Sequence, residues 1–163
     1  MKRIITALTL FAALSIIACT KGGKLERISG VQYTITSTAG SKQLVPAIDT
    51  SSAGTFTGFY DEQSNILTFA ITWNDLWRTT SKDTITSVNF YGPATAATNG
   101  ALVRVLPFVS TNNAASANFG LAGLKGFTMS EKKDFLQGTY YFTINTIKYP
   151  NGIIRGQLAA AKQ

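Results

Sequence analysis

The chain contains no histidine and a single cysteine, Cys19. Those two shortages exclude a good deal. A Ser-His-Asp or Cys-His nucleophilic centre needs an imidazole to take the proton from the attacking group, and none is available. One thiol also rules out an internal disulfide. Acids are scarce, with eight Asp and Glu against 15 Lys and Arg, for a formal charge of +7. A transition-metal site would therefore have to rely on carboxylates. Asp49, Asp61 and Glu62 lack the regular spacing of a calcium loop. No two of the eight acids stand out as a pair for glycoside hydrolysis. The sequence thus predicts no catalytic residue, no metal and no cofactor.

Long apolar runs are missing too, except at the N-terminus. Lys2 and Arg3 precede Ile4–Ala18, an uncharged and almost wholly apolar stretch. It has the length of a signal-peptide core and is short of the ~20 residues that a spanning helix needs. It ends Ser15-Ile16-Ile17-Ala18-Cys19, which resembles a lipobox, with Ile16 in place of the usual leucine. Residues 1–18 are expected to be a cleaved leader and Cys19 the lipid attachment point. An ordinary signal peptide is the competing reading, but lipidation accounts for both the position and the solitude of the cysteine. Several acyl chains would hold the protein on a bilayer, which places it in the cell envelope, with the outer membrane as the expected site. Residues 19–29 read as a polar tether and 30–163 as one domain. Without Lys2 and Arg3 the mature chain carries 13 basic residues against 8 acids. They are dispersed, and the sole adjacent pair, Lys132-Lys133, is flanked by Glu131 and Asp134. Nucleic acid is excluded as a partner, since it requires a clustered basic patch.

From Gly30 onward the apolar period is two, in segments filled with Thr, Val, Ile, Phe and Tyr, which indicates strands. Candidates are 31–37, 54–60, 66–73, 84–91, 101–106, a short one near 118–121, 140–145 and 153–158. The turn formers of 61–65 join the second to the third. Leu67, Phe69, Ile71 and Trp73 should point to the core. Gly92-Pro93 should end a ladder, because proline lacks the amide donor. Tyr149-Pro150-Asn151-Gly152 forms a strong turn. One helix is expected near 129–137, capped by Thr128 and Glu131 and stopped by Gly138. Short antiparallel strands separated by turns predict an all-β sandwich of two sheets.

Several of these segments match a known pattern. Asn89-Phe90-Tyr91-Gly92-Pro93-Ala94, followed by Asn99-Gly100-Ala101-Leu102-Val103, resembles the central motif of the CHRD domain, the module named after chordin. Gly138–Thr146 resembles the family's Gly-x-x-Tyr-Val-Asn-Val-His-Thr strand. Tyr149-Pro150-Asn151-Gly152-Ile153-Ile154-Arg155-Gly156-Gln157-Leu158 is similar to its closing segment. The likeness covers about residues 40–160. It implies an immunoglobulin-like antiparallel β-sandwich of extracellular and cell-surface proteins, with no established catalytic activity. The family's three motif histidines fall on Asn89, Tyr91 and Asn145. If those histidines bind metal in relatives, the ligands are lost here, since asparagine and tyrosine replace imidazole poorly.

The expected function is a membrane-anchored, non-enzymatic binding module with a protein or glycan partner. A metal-binding or hydrolytic envelope enzyme on a β-sandwich scaffold is the competing expectation. Asn89, Tyr91 and Asn145 form the candidate binding face, with plain solvent-facing positions as the other reading. Arg155, Gly92, Pro93 and Gly152 are structural candidates. Arg155 lies inside a strand, where its planar fork would tie the last strand to a neighbouring loop, with ligand contact as its second reading. Trp77 either caps the domain or is exposed for binding.

Overall fold

The computed structural model describes residues 30–74, 76, 84–107, 113–121 and 124–163. The expected leader, Cys19, the tether and Trp77 lie outside the described residues. Period-two segments become strands because alternate side chains must face opposite sides of a pleated sheet. The described residues form β1 (Gln32–Gly40), β2 (Ala53–Asp61), β3 (Ile66–Asn74), β4 (Ile85–Tyr91), β5 (Leu102–Pro107), β6 (Ala114–Phe119), a helix α1 (Met129–Leu136), β7 (Tyr141–Thr146), β8 (Ile154–Gln157) and β9 (Ala159–Lys162). The fold is all-β with one short helix.

The strands make one continuous antiparallel sheet in the order β5-β4-β7-β8-β1-β2-β3-β6, with β9 also on β1. Two separate sheets were expected from the sequence. The seam that joins them is β1, where Gly40 pairs with Arg155 of β8 and residues 33–36 pair with β9. Twist accumulating over so many strands curls the sheet into a half-barrel. The curl brings β2, β3 and β6 opposite β4 and β7, so a single sheet encloses the core.

That core is aromatic. Phe56 stacks on Phe69 at 5.0 Å, and Phe90 meets Phe119 edge-on at 5.0 Å. Phe142, between β4 and β8, is fully buried against Phe56 at 5.5 Å. As expected, Leu67, Phe69, Ile71 and Trp73 all face inward.

The open side between β5 and β6 is closed by residues 124–128 and α1. Arg104 of β5 reaches Glu131 of α1 with two bonds of 3.1 and 2.9 Å and donates to the Gly126 carbonyl. Its guanidinium lies 5.8 Å from the rings of both Phe119 and Phe127. Glu131 also closes the capping box with Thr128, so one carboxylate serves a helix start and a strand edge. Arg104 first, then the Thr128 amide, holds its pKa below the ordinary 4.5 against the opposing effect of burial. The helix docks through Phe135, stacked on Phe127 at 4.5 Å. Gly138, at φ +75°, ends it.

A covered face with a cavity

The site is built on the outer face of β4, β7 and β8. Register places Asn89 opposite Thr143 and Thr143 opposite Arg155, while Tyr91 faces Tyr141 and Tyr141 faces Gln157. Asn145 pairs with Ser87 on the same face. The three candidate residues Asn89, Tyr91 and Asn145 are therefore brought onto one side of adjacent strands. An outer face of an antiparallel sheet ordinarily meets water. Here every residue of β7 is buried, Thr143 and Asn145 included.

Three segments supply the cover. The first runs from 41 to 50, folded on itself by Ser41, whose hydroxyl donates to the Thr50 carbonyl at 2.7 Å. The second is the turn 149–152, where the Gly152 amide donates to the Tyr149 carbonyl. Gly152 adopts φ +115°, and a Cβ there would lie 3.1 Å from Thr143 and 3.2 Å from Leu44. Only glycine combines that backbone with that closeness. The third segment, 92–100, begins where the ladder of β4 stops at Gly92-Pro93, a cis peptide. Gly92 lets the Tyr140 ring pack on the backbone, since a Cβ would come within 2.5 Å of it.

Between these segments lies a half-open cavity of about 540 Å³, within the size range of small-ligand sites. Its floor is Tyr91, Tyr141, Thr143 and Arg155. Leu44, Val45, Pro46 and Ile48 give one apolar wall, and Lys148 to Gly152 give the other. Asn99 and Gly100 close the third side. The Asn99 amide donates to the Val45 carbonyl at 2.7 Å, tying two walls together. No acidic residue lines the cavity.

The floor is a layered stack. Tyr91 and Tyr141 lie parallel, 5.0 Å apart and 9° between planes. The Arg155 guanidinium sits over Tyr141, 3.7 Å from the ring centroid, a favourable placement of a cation on a π face. The Tyr141 hydroxyl accepts from the Gly100 amide. Arg155 is only 1% exposed and donates to the Thr95 carbonyl at 2.8 Å and to Gln157 Oε1 at 3.2 Å. A third contact, from Nη1 to Asn99 Oδ1, spans 3.5 Å. Burial draws its pKa below the ordinary guanidinium value, and Tyr141 opposes that shift.

The candidates thus divide by position. Tyr91 lines the cavity. Asn89 stands behind it, donating to the Tyr91 hydroxyl at 3.2 Å. Asn145 is buried beneath the turn, accepting from the Thr143 hydroxyl and donating to the Pro150 carbonyl at 2.6 Å. Arg155 both ties β8 to the 92–100 segment, as its strand position suggested, and lines the cavity. Sequence reasoning missed Tyr141, Asn99 and the 44–48 wall. The outward series Tyr141, Thr143 and Asn145 gave no local signal, because threonine and asparagine are ordinary solvent-facing residues. Among the described residues, no three His, Cys, Asp or Glu side chains gather as a metal site. No described helix is long and apolar enough to cross a membrane.

No curated protein and no solved structure matches the chain. The family model of the CHRD domain matches residues 35–158, a span that runs from β1 to the end of β8 and contains every cavity-lining residue. With most of its length inside that match, the chain belongs to the CHRD domain family.

Proposed function

We propose that this protein is a lipid-anchored, non-enzymatic binding module of the cell envelope, with the covered face of β4, β7 and β8 as its binding site. The observation that carries this reading is the cavity itself. Three separate segments are tied over a sheet face that could have met water, and between them they leave a walled space rather than a packed cover. Its floor offers rings, a hydroxyl and a guanidinium. Such a mixture of apolar area with a few fixed polar groups suits recognition. Its lining holds no nucleophile beside a base, the arrangement that covalent hydrolysis uses.

The anchor rests on Cys19 and the apolar stretch before it. Membrane attachment would present the domain at a bilayer surface, on the outer membrane in this reading. The partner is a glycan or a protein of the envelope.

Full-length protein purified from its native membrane tests both parts. Intact mass should show an acylated N-terminal cysteine corresponding to Cys19. Envelope polysaccharide and envelope protein fractions should bind the wild type, and Tyr91→Ala should weaken that binding without loss of folding. An unmodified cysteine would remove the anchor. Undiminished binding by Tyr91→Ala would remove the face, and turnover abolished by a point mutation would overturn the non-enzymatic reading.

A further inference from the structure

Arg155 has no carboxylate among its described partners. Its acceptors are the Thr95 carbonyl, the Gln157 amide and the Asn99 amide, all neutral. A guanidinium buried to 1% exposure ordinarily has a counter-charge, because an uncompensated charge in a low-dielectric setting is costly. Tyr141 offsets part of that cost through its π face. The described salt bridges occur elsewhere, at Lys42–Asp49, Arg104–Glu131 and Lys132–Glu62. No described acid lines the cavity beside Arg155. A buried guanidinium thus borders a concave, walled site with no carboxylate among its partners.

From this we infer that the cavity binds the carboxylate of an acidic sugar, a hexuronate-type unit of a polysaccharide, with Arg155 as its anchor. The inference rests on the binding-module reading above and narrows it to one ligand class. Nη1 is the part of the fork held least, since its contact with Asn99 spans 3.5 Å. Asn99 itself lines the cavity, so that contact lies at the cavity wall. Nη2 already donates to Thr95 and Gln157, so a carboxylate would take its charge-assisted bond from Nη1.

The rest of the lining favours a sugar over a peptide. Tyr91 and Tyr149 supply ring surface for pyranose C–H faces. Asn99, Asn151 and Thr143 supply donors and acceptors for hydroxyls. A peptide added as an extra strand would need a free sheet edge. Yet β7 is paired on both sides, by β4 and β8, and β4 is paired by β5 and β7.

The test is calorimetry on the full-length protein in detergent, with trigalacturonate and its fully methyl-esterified form as probes. The two share shape and hydroxyls and differ in charge. Trigalacturonate should bind, and the ester should bind weaker by about tenfold, the expected scale for losing a charge-assisted hydrogen bond. Arg155→Lys keeps the charge and loses the fork, and should reproduce that loss. Because Arg155 also supports the fold, a second variant is needed. Asn99→Asp at an exposed position sets a carboxylate beside Nη1, and Asn99→Ala, which loses the same bond to the Val45 carbonyl without adding an anion, is its control. Both should stay folded; Asn99→Asp should abolish trigalacturonate binding by supplying the missing anion from within, and Asn99→Ala should weaken it far less.

Equal binding of acid and ester, or full binding by Asn99→Asp, would overturn the anion site while leaving a glycan-binding module standing. Binding of a glutamate-rich peptide with no binding of trigalacturonate would overturn the sugar assignment. If no probe binds while Tyr91-dependent binding of envelope material persists, the inference fails and the broader reading survives.

Discussion

The two halves of the curled sheet share one core and treat their outer faces in opposite ways. On β2 and β3 the outward positions include Thr55, Thr57, Thr68 and Thr72, all exposed. Phe59 stands among them, 39% exposed. Nothing described covers this face, and Thr55 and Thr72 simply bond each other across the strands at 2.6 Å. On β7 and β8 the outward positions are Tyr141, Thr143, Asn145 and Arg155, each buried. Here the polar groups are spent on carbonyls and an amide of the covering segments and on one another. The lesson is that pleat direction alone does not decide solvation. Cover decides it, and covered polar side chains become either struts or the floor of a site.

That contrast predicts a graded series of effects. The largest belongs to Arg155. Arg155→Ala removes a buried ring contact and the guanidinium bonds to Thr95 and Gln157, and should destabilise the protein by about 3 kcal/mol. Chemical denaturation would show it as a lower midpoint at unchanged slope. An unchanged midpoint would deny Arg155 its structural part. Next is Asn145→Ala, which leaves the Pro150 carbonyl and Thr143 hydroxyl without their partner. A loss of about 2 kcal/mol is expected, with faster proteolysis of the 149–152 turn.

The closing contact between β5 and α1 gives an intermediate case with a pH signature. The folded-state pKa of Glu131 is depressed by Arg104 and Thr128, so its stabilisation is present above the ordinary glutamate value. It is lost as pH falls through the lower folded-state value. Glu131→Gln should cost about 1 kcal/mol at pH 7, the scale of a lost cap and partly exposed ion pair. Melting temperatures of variant and wild type should converge as pH falls below 4.5, the unperturbed value. A gap independent of pH would contradict that account. Smallest of all, Thr57→Ala on the open face should stay within about 0.5 kcal/mol. A cost near that of Asn145→Ala would erase the distinction between the faces.

Much of the fold was legible because strands announce themselves through period two. The inward stripe of β3 and the capped helix at 129–136 both follow from local pattern. The sheet count did not follow. Periodicity tells which side of a strand is apolar and says nothing about which strands share a ladder. The joining pairs, Gly40 with Arg155 and β9 with β1, are long-range. Strand β9, Ala159–Lys162, carries alanines of low strand propensity, so only its pairing with β1 makes it a strand. Likewise β6 begins at Ala114, ahead of the stretch near 118–121 where aromatic and apolar residues gave the signal.

The site was legible in part. Asn89, Tyr91 and Asn145 were placed on one face by resemblance, and the register brings them together. What sequence could not supply was the cover. Leu44 to Ile48 carries no chemical motif, and its role comes from lying over strands about a hundred residues later in the chain. Arg155 was conspicuous as a charge inside a strand, yet the neutrality of its partners is visible only in three dimensions.

The central claim is that the covered face, and not the open threonine face, is where this protein meets its ligand. Amide shift mapping on isotope-labelled protein during a titration with trigalacturonate tests it most directly. The account predicts perturbations concentrated at Tyr91, Asn99, Gly100, Thr143 and Asn151, with Thr55, Thr57, Thr68 and Thr72 unmoved. Perturbations confined to those threonines, or none at the cavity while binding is measurable, would contradict it.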